Sequence, residues 1–173
     1  MKRLFPASLI ACATLCGALF SAAPAMADED AFDKAIHEYG CADYPKAYSM
    51  IVPLAEGGHA LAQYQRGLML EQGQGIAANL VEAFKWYQKA ADQGVADAYF
   101  AVGQIYSKGV AVPRDAIRAY AAFDVAATLG YAVAGDWRGM ESNRMSEGEI
   151  AEARKLSAEL LAKRPANALD RIR

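Results

Sequence analysis

A block of thirty-six residues beginning near Ala62 recurs immediately after itself, and this duplication constrains the fold more than any other feature. Shifting the sequence by that period places Gly67 on Gly103, Gly73 on Gly109, Ala83 on Ala119, Ala90 and Ala91 on Ala126 and Ala127, and Gly94 on Gly130. Softer matches fill the intervals: Tyr64 with Phe100, Ile76 with Val112, Phe84 with Tyr120, Tyr87 with Phe123. A unit of this size cannot bury its own apolar face, so it has to stack on its neighbours as a solenoid.

Leu80, Ala83, Phe84, Tyr87, Ala90 and Ala91 make an apolar stripe at helical period, with Glu82, Lys85, Gln88 and Lys89 turned away. Asn79 with Glu82 reads as a capping-box pair before this helix, and Gly94 as its left-handed stop. The copy repeats the logic with Asp115 as cap and Gly130 as stop. Helices are expected over 60–71 and 80–93, then 98–107 and 116–129, joined within each unit by the loops 73–78 and 109–114. Stepping back one period finds Asp43, Ala47, Tyr48, Ile51, Ala55 and Gly58 in register. A divergent first unit is therefore expected, with a first helix over 31–39 and a short link at Gly40, Cys41 and Ala42. Pro53, late in its second helix, should bend the last turn. A fourth first helix starts near Tyr131, after which the match decays. Ser146 and Glu149 form another capping box, opening a helix to about Lys163 that closes the open end of the stack. The expected divisions are a repeat domain over 28–145, with units at about 30–59, 60–95, 96–131 and a partial 132–145. A capping helix over 146–163 and a basic tail over 164–173 complete it.

Residues 1–27 read as a secretory signal: Lys2 and Arg3, an apolar run to about Phe20, then Ala25-Met26-Ala27 before an acidic start at Asp28. The exported chain is then expected to be periplasmic or secreted, without a permanent membrane span. Leu9-Ile10-Ala11-Cys12 also resembles a lipid-attachment box, which leaves a lipoprotein anchored at Cys12 as an alternative. Without Lys2 and Arg3 the eighteen basic residues fall to sixteen against twenty acidic, a net charge of about −4. That balance recruits neither nucleic acid nor an anionic membrane. Cys12 and Cys16 leave with the signal, so Cys41 stays alone and no internal disulfide forms in a monomer, the state expected here.

Ala62-Gln63-Tyr64, Gly67, Gly73-Gln74-Gly75-Ile76, Asn79, Ala83, Trp86-Tyr87, Ala90-Ala91, Gly94 and Ala98 resemble the Sel-one-like repeat (SLR), a relative of the tetratricopeptide repeat. The resemblance covers two units strongly and the first weakly. It implies an all-α, short right-handed solenoid acting as an adaptor or scaffold, with polypeptides bound along the concave face of the first helices. Cysteine-rich exported members are reported to bind or hydrolyse β-lactams, so a β-lactam or peptidoglycan hydrolase is the alternative. This chain lacks their disulfide framework. Four positions depart from the pattern: Arg66 stands where Leu is usual, Leu70 where Tyr is, Ala111 at the second loop glycine and Ala122 at the Trp. Arg66 is either a snorkelling stem at a unit edge or a cation on a recognition surface.

The chain offers few catalytic groups. His37 and His59 are its only histidines, and it has no H-E-x-x-H, no G-x-S-x-G and no phosphate loop. His37 and Cys41 lie four apart, but a helix ending at Gly40 should separate them. Gly73-Gln74-Gly75 follows no strand and reads as a turn requiring positive φ, not a nucleotide fingerprint. No catalytic residue, metal or cofactor is expected. The candidate partner-binding residues are Tyr64, Leu68, Glu71 and Gln72 of the central unit beside Phe100, Gln104, Ser107 and Lys108 of the next, a mixture of rings, amides and charges suited to a peptide groove.

Overall fold

The computed structural model describes residues 23–164, all of whose regular structure is helical. The signal and lipid-box residues 1–22 and the tail beyond Arg164 lie outside the described residues. Eight helices follow in order: α1 (Ala23–Gly40), α2 (Tyr44–Glu56), α3 (Ala60–Gln72), α4 (Leu80–Asp92), α5 (Ala96–Lys108), α6 (Ala116–Thr128), α7 (Ala134–Ser142) and α8 (Glu147–Lys163). Each helix from α1 to α6 packs against the next in sequence, the contact pattern of a solenoid of helical repeats.

Local chemistry sets the helix ends. The side chains of Asn79 and Asp115 accept hydrogen bonds from the Glu82 and Arg118 backbone amides at 3.1 and 2.9 Å. Gly73 and Gly109 close α3 and α5 at φ of 70° and 68°, a conformation glycine adopts without steric cost. His59 caps α3 through Nδ1, which accepts from the Ala62 amide at 3.1 Å. That bond requires an unprotonated Nδ1, so the neutral ring carries its proton on Nε2, which lies 3.5 Å from Glu29.

Between the two helices of a unit, a ring sits on a glycine. A Cβ built on Gly67 would lie 2.6 Å from the Tyr87 ring, and one on Gly103 would lie 2.6 Å from the Phe123 ring. Both rings are fully buried, each contributing roughly 1.5–3 kcal/mol by leaving water. Ala83, Ala90, Ala119 and Ala126 are fully buried beside them, because small side chains let the helix backbones approach. The Tyr87 hydroxyl escapes burial without a partner by donating to Glu71 at 2.5 Å.

Glutamines join the units. Gln63 donates to the Ala55 carbonyl at 3.1 Å, and Gln93 donates to Gln63 and to the Gly58 carbonyl at 2.8 and 2.9 Å. In the central loop Gly75 presses on α2, where a Cβ would lie 2.3 Å from the Tyr44 carbonyl oxygen. Ala111 takes the equivalent place in the next unit without positive φ.

Four expectations need correction. Helix α1 starts at Ala23 rather than Ala31: Asp28, Glu29 and Asp30 are exposed yet helical, with Glu29 reaching toward His59. Helix α7 starts at Ala134, three residues after Tyr131, following a turn in which the Ala134 amide donates to the Tyr131 carbonyl. Glu82 does not complete a capping box, since its carboxylate instead accepts from Trp86 Nε1 at 3.2 Å. Helix α1 ends at Gly40 as expected, but this does not separate the pair: the Cys41 amide still donates to the His37 carbonyl, and this keeps Cys41 Sγ 3.8 Å from His37 Nε2. The pair is exposed and has no third group orienting it among the described residues.

At the C-terminal end α8 packs on α6, and Asp124 of α6 holds both end helices: it accepts from Arg138 of α7 and Ser157 of α8, each at 2.7 Å. Glu141 of α7 is buried, accepting from Ser107 and, at 2.9 Å, from Arg114. Ser146 and Glu149 form the reciprocal capping box of α8, and these bonds hold the Glu149 carboxyl below its ordinary pKa.

The seating of ring on glycine predicts opposite signs for two similar changes. Gly103→Ala should destabilise by about 1–3 kcal/mol through overpacking against Phe123. Gly139→Ala, where a Cβ meets nothing within 4 Å, should stabilise by roughly 0.5–1 kcal/mol. Urea unfolding at constant m-value measures both, and destabilisation by Gly139→Ala or a neutral Gly103→Ala would contradict the packing described.

Candidate functional site

The eight residues expected on the first-helix face fall into four pairs one period apart on α3 and α5: Tyr64 with Phe100, Leu68 with Gln104, Glu71 with Ser107, Gln72 with Lys108. Gln72 and Lys108 are exposed, and Leu68 and Gln104 are half-buried. Tyr64 leans on Tyr87 with ring centroids 5.7 Å apart, and burial pushes its hydroxyl pKa up. Glu71 is exposed but accepts the Tyr87 hydroxyl bond. Phe100 and Ser107 are held by the chain itself. The Phe100 ring lies among Phe123, Tyr131 and Trp137 at 4.6–5.8 Å, and Ser107 is bonded to Glu141.

A second concavity lies elsewhere, between α4, α5, α6 and α8, with a volume of about 630 Å³. Its origin is readable by comparing units. In the central unit Trp86 fills the corresponding space, with the Arg66 guanidinium 4.1 Å and Lys89 Nζ 3.8 Å from the ring. Arg66 also pairs with Glu56 at 2.9 Å, and its side chain is only 12% exposed, so it is a structural cation at a unit edge. One period later Ala122 replaces Trp86 and Val102 replaces Arg66. Two large side chains are exchanged for small ones, and a hollow is left where a packed edge stood.

The floor of this hollow is apolar: Val102, Ala122, Leu156 and Leu160. Its rim carries three cations, Lys85, Lys89 and Arg118, against one carboxylate, Asp92. Arg118 is fixed by Asp115 at 3.3 Å and by the Tyr106 hydroxyl at 3.2 Å. Asp92 is exposed, but partial desolvation at the edge of the hollow raises its pKa, with Lys163 acting in the opposite sense. Burial, with the Asp92 charge, also pushes the Tyr99 hydroxyl up to about 12, so it remains a donor at neutral pH. Among the described residues neither that hydroxyl nor the Gln88 amide has a hydrogen-bond partner in the protein. Sequence reasoning missed this hollow, although its signal was present in Ala122 at the Trp position.

Among the described residues no group of three or more His, Cys, Asp or Glu is placed to hold a metal ion, and no helix is long and apolar enough to cross a membrane. The arrangement defines a helical-repeat solenoid. Residues 60–95 and 96–131 match the Sel1 repeat, so the two central units are Sel1 repeats. The fold is similar to the crystal structure of a protective antigen present in uropathogenic Escherichia coli strains and displaying an SLR fold. That similarity has a TM-score of 0.77 at 26% identity, over 87% of this chain and 33% of that one. A Sel1 repeat protein from Oxalobacter formigenes is 35% identical over 56% of this chain and 40% of its own, with a TM-score of 0.54. The chain thus spans between a third and two fifths of the length of these relatives. Comparison with curated proteins gives no significant match. Sel1-repeat proteins are generally protein-interaction scaffolds, and the fold is typically non-enzymatic.

The raised pKa of Asp92 has a sign that can be tested. A carboxyl whose native pKa exceeds its unfolded value of 3.8 favours folding below that value, and the advantage is lost as pH rises through the native pKa. Asp92→Asn should therefore raise Tm at pH 7, and its advantage should close as pH falls below 3.8. A lower Tm at pH 7, or a pH-independent difference, would show that Asp92 is stabilised in its charged form.

Proposed function

We propose that this chain is a non-catalytic scaffold of the bacterial cell envelope that binds a polypeptide on the face formed by its first helices. The observation that carries the reading is the register of Leu68 with Gln104 and of Gln72 with Lys108. Side chains one period apart on α3 and α5 form a strip of apolar, amide and charged groups across two Sel1 repeats. A strip of this kind gains affinity from many small contacts, and the rigid stack beneath it keeps the ordering cost low. Export is part of the proposal, supported by Lys2, Arg3, the apolar run and Ala25-Met26-Ala27. So is the absence of catalysis: the exposed thiol–imidazole pair of His37 and Cys41 has no orienting group among the described residues.

Affinity capture from the cell envelope tests the proposal. The exported chain should retain a specific protein, and Gln72→Glu combined with Lys108→Glu should weaken its retention about tenfold without changing Tm, since both positions are exposed. Unchanged retention would remove this face from the account. Turnover of a chromogenic β-lactam that survives stringent purification would remove the non-catalytic reading.

A further inference from the structure

The hollow between α4, α5, α6 and α8 is separate from the first-helix face, since Tyr99, Val102 and Tyr106 approach it from the side of α5 that faces α4 and α6. We propose that it is a second binding site, which takes an acidic peptide segment with a bulky apolar anchor. The inference extends the scaffold reading to a new surface and stands or falls separately from the first-helix face.

Three observations support this occupant. The first is shape: a hollow of about 630 Å³ exists because Ala122 and Val102 occupy positions filled by Trp86 and Arg66 one period earlier. That space accommodates one or two large apolar side chains. The second is charge. With Arg118 paired to Asp115, Lys85 and Lys89 still outnumber Asp92 at the rim, although the whole chain is net acidic at −2, so the local field favours an acidic partner. The third is hydrogen bonding. The Tyr99 hydroxyl and the Gln88 amide offer a donor and a donor–acceptor pair to a peptide backbone, and neither is used within the described residues.

Other occupants fit less well. The segment 165–173 of the chain carries Arg171 and Arg173 against Asp170, so it opposes the cationic rim. A second copy of the chain would have to present an acidic apolar protrusion. Among the described residues the exposed large apolar ones, Ile76, Val81, Val110, Val133 and Met140, lack carboxylates in adjacent positions except for Glu82 beside Val81 and Glu141 beside Met140. Both of these carboxylates are already bonded internally.

Calorimetric titration of protein carrying the full chain with three hexapeptides tests the proposal: Glu-Asp-Leu-Phe-Asp-Glu, its basic counterpart Lys-Arg-Leu-Phe-Arg-Lys, and the anchorless Glu-Asp-Ser-Ser-Asp-Glu. The first should bind at least about tenfold more tightly than either control, and its affinity should fall as salt rises. Ala122→Trp, which restores the residue found one period earlier, should abolish binding while leaving Tm unchanged or higher. Lys85→Glu acts on an exposed position, so it tests the rim without disturbing the core, and it should weaken binding about tenfold. Gln72→Glu with Lys108→Glu should leave hexapeptide affinity unchanged, which separates this site from the first-helix face. Equal affinity for the acidic and basic peptides, or full affinity in Ala122→Trp, would overturn the proposal. So would binding that emerges only after residues 165–173 are deleted, dimerisation dissolved by Ala122→Trp, or attachment to phosphatidylglycerol vesicles without binding to the acidic peptide.

Discussion

The structure depends on an aromatic ring lying against the bare backbone of a helical glycine, once in each central unit. Tyr87 on Gly67 and Phe123 on Gly103 set how closely the two helices of a unit approach. Every further contact between layers presumes that spacing. The fully buried alanines of α4 and α6 touch their neighbours only because the backbones are close, and the glutamine relay of Gln63 and Gln93 bridges units only at that distance. A methyl group at either glycine would displace a fully buried ring, and a close-packed interior has little room to absorb that displacement.

The same economy of space explains where the molecule is open. Unit edges are filled by side chains particular to each unit: Trp86 between two cations in the central unit, and the four-ring cluster of Phe100, Phe123, Tyr131 and Trp137 at the next first helix. Where a unit lacks its filler, as at Ala122, the stack stays intact and a hollow forms. The solenoid backbone and the shape of its surface are thus set by different residues: glycines and alanines fix the first, and the large side chains, or their absence, fix the second.

This division accounts for what was readable in the sequence. Helix ends rest on interactions between residues at most a few positions apart, so Asn79, Asp115, Gly73, Gly109 and the Ser146–Glu149 box located them to within about two residues. The stack was readable because its contacts recur at one fixed spacing. Features that depend on unlike elements meeting carried no periodic signal. Glu82 chose Trp86 over its own helix cap, His37 and Cys41 stayed adjacent through the bond from the Cys41 amide to the His37 carbonyl, and Asp124 drew α8 onto α6. Packing of Phe100 against Trp137 and capture of Ser107 by Glu141 followed from α7 arriving beside α5, which no local pattern around those residues announces. The hollow combines both cases: Ala122 marked the missing filler, but the wall formed by Leu156 and Leu160 required the placement of α8.

Hydrogen–deuterium exchange resolved by helix tests the central claim most directly. If the rings on glycines hold the stack together, the amides of α4 and α6 exchange only through global unfolding and are the slowest in the molecule, while α1 and α8 exchange earlier by local opening. Exchange of α4 or α6 amides as fast as those of α1 would contradict the account, because the layers would then separate without breaking the contacts said to bind them.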